Sequence, residues 1–192
     1  MIGGMSRWEP NARGRLEQAA LELYCERGFE QTTVAEIAER AGLTERTFFR
    51  YFADKREVLF AGGVTLQELL VSAVAGAPES VAPIEAVAAA LDAAGALLQE
   101  RHEYARQRQA VIAANASLQE RELIKLAALA AALAGALRRR GVTDPAASLA
   151  AEAGTTVFRI AVDRWHGETA QRDLLDVTRD SLDELKAVTA GN

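Results

Sequence analysis

Apolar residues recur at spacings of three and four along most of this chain, and no segment alternates strictly between apolar and polar positions. That pattern predicts helices and no sheet. Leu16, Ala19, Ala20, Leu23 and Tyr24 form one stripe on a first helix over 12–27, ended by Gly28, with Phe29 folding back onto the core. Thr33 and Glu36 make a capping-box pattern that opens a second helix carrying Val34, Ile37, Ala38 and Ala41 on one face. Gly42 stops it, Thr44 is the next cap, and a short third helix follows over 45–52. Asp54 with Glu57 predicts the start of a fourth helix running to about 75.

The cluster Gly76, Pro78, Ser80 and Pro83 marks a boundary. Beyond it the pattern predicts helices over 83–100, 102–114, 118–140, 145–166 and 170–187. Ser117 with Glu120 and the pair Asp144-Pro145 supply start signals, and Gly141 a stop. The expectation is an all-α chain of about nine helices. It divides into a loose arm over 1–11, a helix-turn-helix head over 12–60, and a helical bundle for ligand binding and dimerisation over 61–192.

The balance of 49% hydrophobic and 26% charged residues is that of an ordinary folded domain. The net charge of −5 argues weakly against nucleic acid, but it is unevenly spread. Between positions 40 and 56 stand Arg40, Arg46, Arg50, Lys55 and Arg56 against Glu45 and Asp54. A local basic patch of this kind can steer DNA while the remaining surface repels it. The one cysteine, Cys25, cannot form an intramolecular disulfide, and its place in an apolar-periodic helix predicts a small buried side chain. The longest uncharged apolar run, 126–137, is too short to span a bilayer, so no membrane partner and a cytoplasmic location are expected. There is no P-loop, dinucleotide-binding glycine fingerprint, nucleophile elbow or metal-ligand spacing, and an enzyme is not expected. No cofactor is expected, and His102 and His166 are too far apart in sequence to suggest a metal site.

The informative stretch is 33–60, TVAEIAERAGLTERTFFRYFADKREVLF. It reads as helix, glycine-containing turn, helix, a unit that places its second helix in the major groove of DNA. Leu43, Phe48 and Phe52 should face the core, leaving Glu45, Arg46, Thr47, Phe49, Arg50 and Tyr51 outward. Arg46 and Arg50 can reach guanine edges or phosphates, and Thr47 a thymine methyl, a base or a phosphate. Lys55, at the start of the following helix, and Thr32 and Thr33, at the start of the second, are placed to anchor phosphates. By periodicity alone the same residues also fit solvated charges around a three-helix core.

The ordered string Gly28-Phe29, Thr32-Thr33, Ile37-Ala38, Ala41-Gly42-Leu43, Thr47, Tyr51-Phe52, Lys55 and Leu59 resembles the DNA-binding head of the TetR family of bacterial repressors. The resemblance covers residues 12–60. It implies that Thr44, Glu45, Arg46, Thr47, Phe49, Arg50 and Tyr51 approach bases and phosphates, while Thr32, Thr33 and Lys55 clamp the backbone. One departure stands out: the family commonly has tyrosine where this chain has Phe49, which has no hydroxyl for a phosphate. Glu45 can accept from cytosine or merely cap its helix.

The runs RQRQAVIAANASLQERELIKL and TTVFRIAVDRW resemble the C-terminal domain of actinobacterial TetR-type regulators similar to the mycofactocin regulator. That resemblance implies an acyl-CoA-like ligand. Tyr104, Arg108, Phe158 and Arg159 combine apolar and cationic character on central helices and are candidate effector contacts. Val157, Ile160, Ala161 and Trp165, followed by Leu174 and Val177, form apolar faces suited to a four-helix interface in a homodimer, or to burial entirely within one subunit. The expected partners are a double-stranded operator, a small-molecule effector and a second copy of the chain. The alternative is a helical ligand-binding or protein-interaction module without operator binding.

Overall fold

The computed structural model describes residues 11–167 and 172–190. It is all-α among the described residues, and nearly all of the expected arm lies outside them. The helices are α1 (Ala12–Arg27), α2 (Val34–Arg40), α3 (Glu45–Tyr51), α4 (Gly63–Gly76), α5 (Pro83–Gln99), α6 (His102–Ala113), α7 (Ala116–Arg139), α8 (Asp144–Gly167) and α9 (Leu174–Thr189), with a 3-10 turn at Glu57–Phe60. The chain divides into two compact units, Met1–Ala61 and Gly62–Asn192.

In the first unit, capping chemistry sets the helix ends. The Asn11 side chain accepts from the Gly14 N–H, and Gly28 leaves α1 at a φ of 89°. Both halves of the Thr33–Glu36 capping box are made, and the Thr44 hydroxyl accepts from the Thr47 N–H. Phe48, wholly buried, packs 5.4 Å from Phe52, and Tyr24 meets Phe29 edge-on at 5.2 Å. Leu43, expected in this core, is only half-buried.

Two expectations about helix boundaries are corrected. The helix predicted over 54–75 is broken. Asp54 does cap, accepting from the N–H groups of Arg56 and Glu57 at 2.8 and 3.1 Å, but only a 3-10 turn follows. Val58, Leu59 and Phe60 are all buried, and three consecutive inward side chains do not fit one stripe of an α-helix. The adjacent Gly62 and Gly63 then favour interruption before α4 begins. Further on, Ser117 does not cap α7. The cap position is Asn115, whose Nδ2 donates back to the Val111 carbonyl at the end of α6.

Cys25 is also a correction, since it lies exposed on α1 rather than in the core. The stripe there is already filled by larger neighbours, Leu21, Leu23 and Tyr24.

The second unit is a bundle. Helices α4, α5, α7, α8 and α9 surround a core containing Leu70, Leu91, Leu133, Leu137 and Phe158. Small residues let the backbones close in. Ala86, Ala90, Ala94 and Gly95 line one side of α5, and a Cβ on Gly154 of α8 would stand 2.2 Å from Val87 Cγ1. Helix α6 is more peripheral, packing on α7 and more lightly on α5. Among the described residues, the segment Glu57–Gly76, rather than 126–137, is the stretch long and apolar enough, by length and composition, to cross a membrane. Here it is split between the 3-10 turn and α4, which turns Leu70 and Val74 into the bundle.

Candidate nucleic-acid interface and effector cleft

A two-turn helix cannot satisfy its own ends, so α2 and α3 depend on side chains from elsewhere. Helix α1 supplies several. Arg15 donates to the carbonyl of Ala41 where α2 ends, Tyr24 Oη donates to the carbonyl of Lys55 at 2.6 Å, and Arg13 donates to the carbonyl of Ala61. The Arg15 guanidinium lies so close to Gly42 that a Cβ there would be 2.7 Å from Nη2, and Gly42 also takes a φ of 65°. The positive φ favours glycine in the turn before α3, and any side chain there would also have to displace the Arg15 guanidinium.

With its inner face fixed by Phe48, α3 turns Glu45, Arg46, Phe49, Arg50 and Tyr51 to solvent. Phe49 is 55% exposed and Tyr51 40%. Arg50 lies 4.9 Å from the Tyr51 ring and donates to its hydroxyl at 3.2 Å. Thr44 and Thr47 hydroxyls are 3.0 Å apart at the helix start, Thr44 exposed and Thr47 half-buried.

The basic residues counted between 40 and 56 do not act as one patch. Arg40 forks onto Glu26 at 2.9 and 3.1 Å and reaches Glu22 at 3.4 Å. Arg56 pairs with Asp54 at 2.7 Å and holds that carboxyl below its ordinary pKa. Lys55 points inward, donating to the carbonyls of Phe29, Glu30 and Thr32. Among the described residues, the cations of this stretch held by neither a carboxylate nor a backbone carbonyl are Arg46 and Arg50, both on α3.

The threonines also separate. Thr33 is exposed, its hydroxyl and N–H both engaged with Glu36. Those bonds, the N–H of Thr33 first, lower the pKa of Glu36, and Arg27 pairs with it at 2.8 Å. Thr32 is buried, and its hydroxyl donates to the Gly28 carbonyl at 2.9 Å. A phosphate-anchoring side chain at Thr32 is therefore corrected to one that closes the loop between α1 and α2.

In the second unit, α6, α7 and α8 border a cleft of about 290 Å³. Ile112, Ala113, Leu123 and Leu126 supply its apolar lining, and Gln109, Gln119, Glu122, Arg159 and Asp163 its polar groups. Of the four expected effector contacts, Arg159 lines the cleft, paired with Asp163 at 3.6 Å. Arg108 reaches it through a 3.2 Å ion pair with Glu122. Tyr104 lies instead under the Arg101 guanidinium, and Phe158 is in the main core, so neither lines it. The lining residues of α7 were missed. Their one signal was a leucine pair, Leu123 and Leu126, on a helix whose other face already filled the core.

His102 and His166, remote in sequence, are neighbours in space, with rings 6.4 Å apart and both against Trp165. Burial, then the charges of His102, Arg108 and Arg106, push His166 down to about 4 from 6.5. No group of three metal-ligating side chains occurs among the described residues.

Five of the six expected dimer residues are covered by the chain itself. Val157, Ala161, Trp165, Leu174 and Val177 are buried within the single chain, where α8 and α9 pack on each other and on α5. Ile160 alone of the six is exposed, at 41%, and the large apolar residues left on the surface of the same helices are Leu149 and Val188.

Residues 17–61 match the family described as bacterial regulatory proteins, tetR family. Residues 81–190, over half of the chain, match the MftR C-terminal domain. The HTH-type transcriptional regulator TcmR of Streptomyces glaucescens is 38% identical over 81 residues, which are 42% of this chain and 36% of TcmR. The chain thus aligns with little more than a third of that curated relative's length. Among solved structures, FadR from Bacillus subtilis in complex with stearoyl-CoA superposes with a TM-score of 0.62 at 21% identity, over 88% of this chain and 95% of FadR. SmeT, the repressor of the Stenotrophomonas maltophilia multidrug efflux pump SmeDEF, gives 0.61 at 20%, over 92% and 89%. At these identities the likeness is one of fold.

Proposed function

We propose, from the premise that this chain belongs to the TetR family of bacterial regulatory proteins, that it is a cytoplasmic two-fold repressor released from a palindromic operator by an amphipathic acyl-type ligand. The family is regulatory rather than catalytic, and this chain is a ligand-responsive DNA-binding regulator. The observation that carries the DNA side is the outer face of α3. Two exposed aromatics beside two arginines without carboxylate partners, on a two-turn helix, make a face suited to base edges and phosphates.

In this reading Arg46 and Arg50 take base edges or phosphates, Thr47 and Tyr51 add hydrogen bonds, and Phe49 packs on a sugar or thymine methyl. Thr33, Thr44 and Glu45 flank them. A second copy, docked through the outward faces of α8 and α9 that carry Leu149, Ile160 and Val188, sets two reading helices on half-sites about one helical turn apart. The α6–α8 cleft receives the effector, its apolar lining against an acyl chain and Arg159 against an acidic group. The stearoyl-CoA of the similarly folded FadR supports that ligand class. Release requires that the ligand bind the two states of the protein unequally.

Selection of genomic fragments by the purified protein, with footprinting at physiological salt, should yield one palindrome protected over two half-sites. Arg46→Ala should cost about 1–3 kcal/mol of operator binding and relax specificity at one position. Salt-sensitive smearing with no enriched site would overturn the operator model. Long-chain acyl-CoA added to the complex should release the DNA, and Arg159→Ala should raise the concentration required. Equal release by free coenzyme A would remove the acyl assignment.

A further inference from the structure

Lys55 sits in the turn after α3, where the family resemblance implied a phosphate clamp. Its geometry assigns it another task. Nζ donates to the carbonyls of Phe29 at 2.8 Å, Glu30 at 3.1 Å and Thr32 at 2.9 Å, and lies 4.4 Å from the centroid of the Phe29 ring. An ammonium has three donors and no acceptor, so the three bonds leave none for a phosphate. The acceptors all belong to the loop between α1 and α2, whose next residue, Thr33, caps α2. The loop closes from its own side as well, through the Thr32 hydroxyl on the Gly28 carbonyl. The lysine is itself held, because Tyr24 donates to its carbonyl.

We propose that Lys55 is a positioning residue for operator recognition, locking the start of α2 to the end of α3. Helices α2 and α3 are joined covalently only at the turn around Gly42. Without a second tie, two seven-residue helices could splay about that turn, and the threonine at the start of α2 would lose register with the arginines of α3. Lys55 is that tie at the open end. Charge-assisted bonds to three convergent carbonyls also satisfy acceptors that would otherwise face one another unpaired. The proposal rests on the DNA-binding reading for its consequence, though not for the lock itself.

The salt dependence of binding separates the two roles. A lost phosphate contact lowers the slope of log affinity against log salt by about 0.9, whereas a misplaced reading helix lowers affinity at every salt concentration. The probe is the duplex the wild-type protein itself protects, titrated against full-length variants with helicity checked by circular dichroism. Lys55→Met should weaken binding on the order of tenfold or more with the slope unchanged. A slope reduced by about one would overturn the proposal. Lys55→Arg keeps the charge but replaces a tetrahedral donor by a planar fork. It should weaken binding as well, and wild-type affinity in this variant would overturn the lock. Should Lys55→Met fail to fold, nitrogen-detected spectra of the DNA-free wild-type protein decide. A slowly exchanging Lys55 ammonium supports the lock, and one averaged with solvent refutes it. A wild-type protein that protects no site would sink the operator reading instead, while the ammonium signal still judges the lock.

Discussion

The two units of this protein are held together by different chemistry. In the head, helices of seven residues carry nearly as many unpaired backbone groups as paired ones, and a core of this size gives limited hydrophobic stabilisation. The deficit is met by directional contacts: Arg15, Tyr24, Arg13, Thr32 and Lys55 each donate to a backbone carbonyl at the end of a helix or in a loop. In the bundle, helices reach 24 residues, and alanine and glycine allow close approach around leucine. Directional bonds select one geometry, as a surface that reads a rigid groove must have. Apolar packing is less particular about geometry, which suits a body that responds to a ligand.

The largest effect that would test this contrast is at Phe48. Phe48→Ala should destabilise the head by about 3–5 kcal/mol. Hydrogen exchange should then show lost protection over α1 to α3 with α7 and α8 unchanged. Equal loss in both units would break the comparison. Next is Gly154→Ala, whose methyl meets the stiff branched side chain of Val87 and should cost the bundle about 1–3 kcal/mol in urea unfolding. Adding Val87→Ala should recover part of it, and a neutral single variant would mean that α5 and α8 are free to separate.

A third effect is pH-dependent. His166 is held down at about 4, so between pH 6.5 and 4 the unfolded chain binds a proton that the folded chain refuses. Stability should therefore fall as pH drops through that window and level off below it. His166→Phe should flatten the curve in thermal melts, and an unchanged curve would show that another group is responsible.

Much of this was legible along the chain because local chemistry decides it. The Thr33–Glu36 box, the stop at Gly28 and the outward set on α3, the half-buried Thr47 apart, follow from spacing and residue type, and the structure bears them out. What periodicity does not carry is the identity of the partner across an apolar stripe. Val157 and Trp165 look the same whether a helix of the same chain or of a second copy covers them, and here the same chain does. Likewise Lys55 and Arg40 contribute positive charge to a count, yet three carbonyls and two glutamates, distant in sequence, determine where that charge points. The pairing of His102 with His166 was hidden for the same reason.

The surface position of Cys25 has a practical consequence. A sequence with one cysteine, exposed on the first helix of the head, is a singly addressable molecule. A nitroxide attached there would place one spin on each protomer. In a two-fold assembly that makes a single distance, and its distribution with and without effector would report directly how far apart the two reading heads are held.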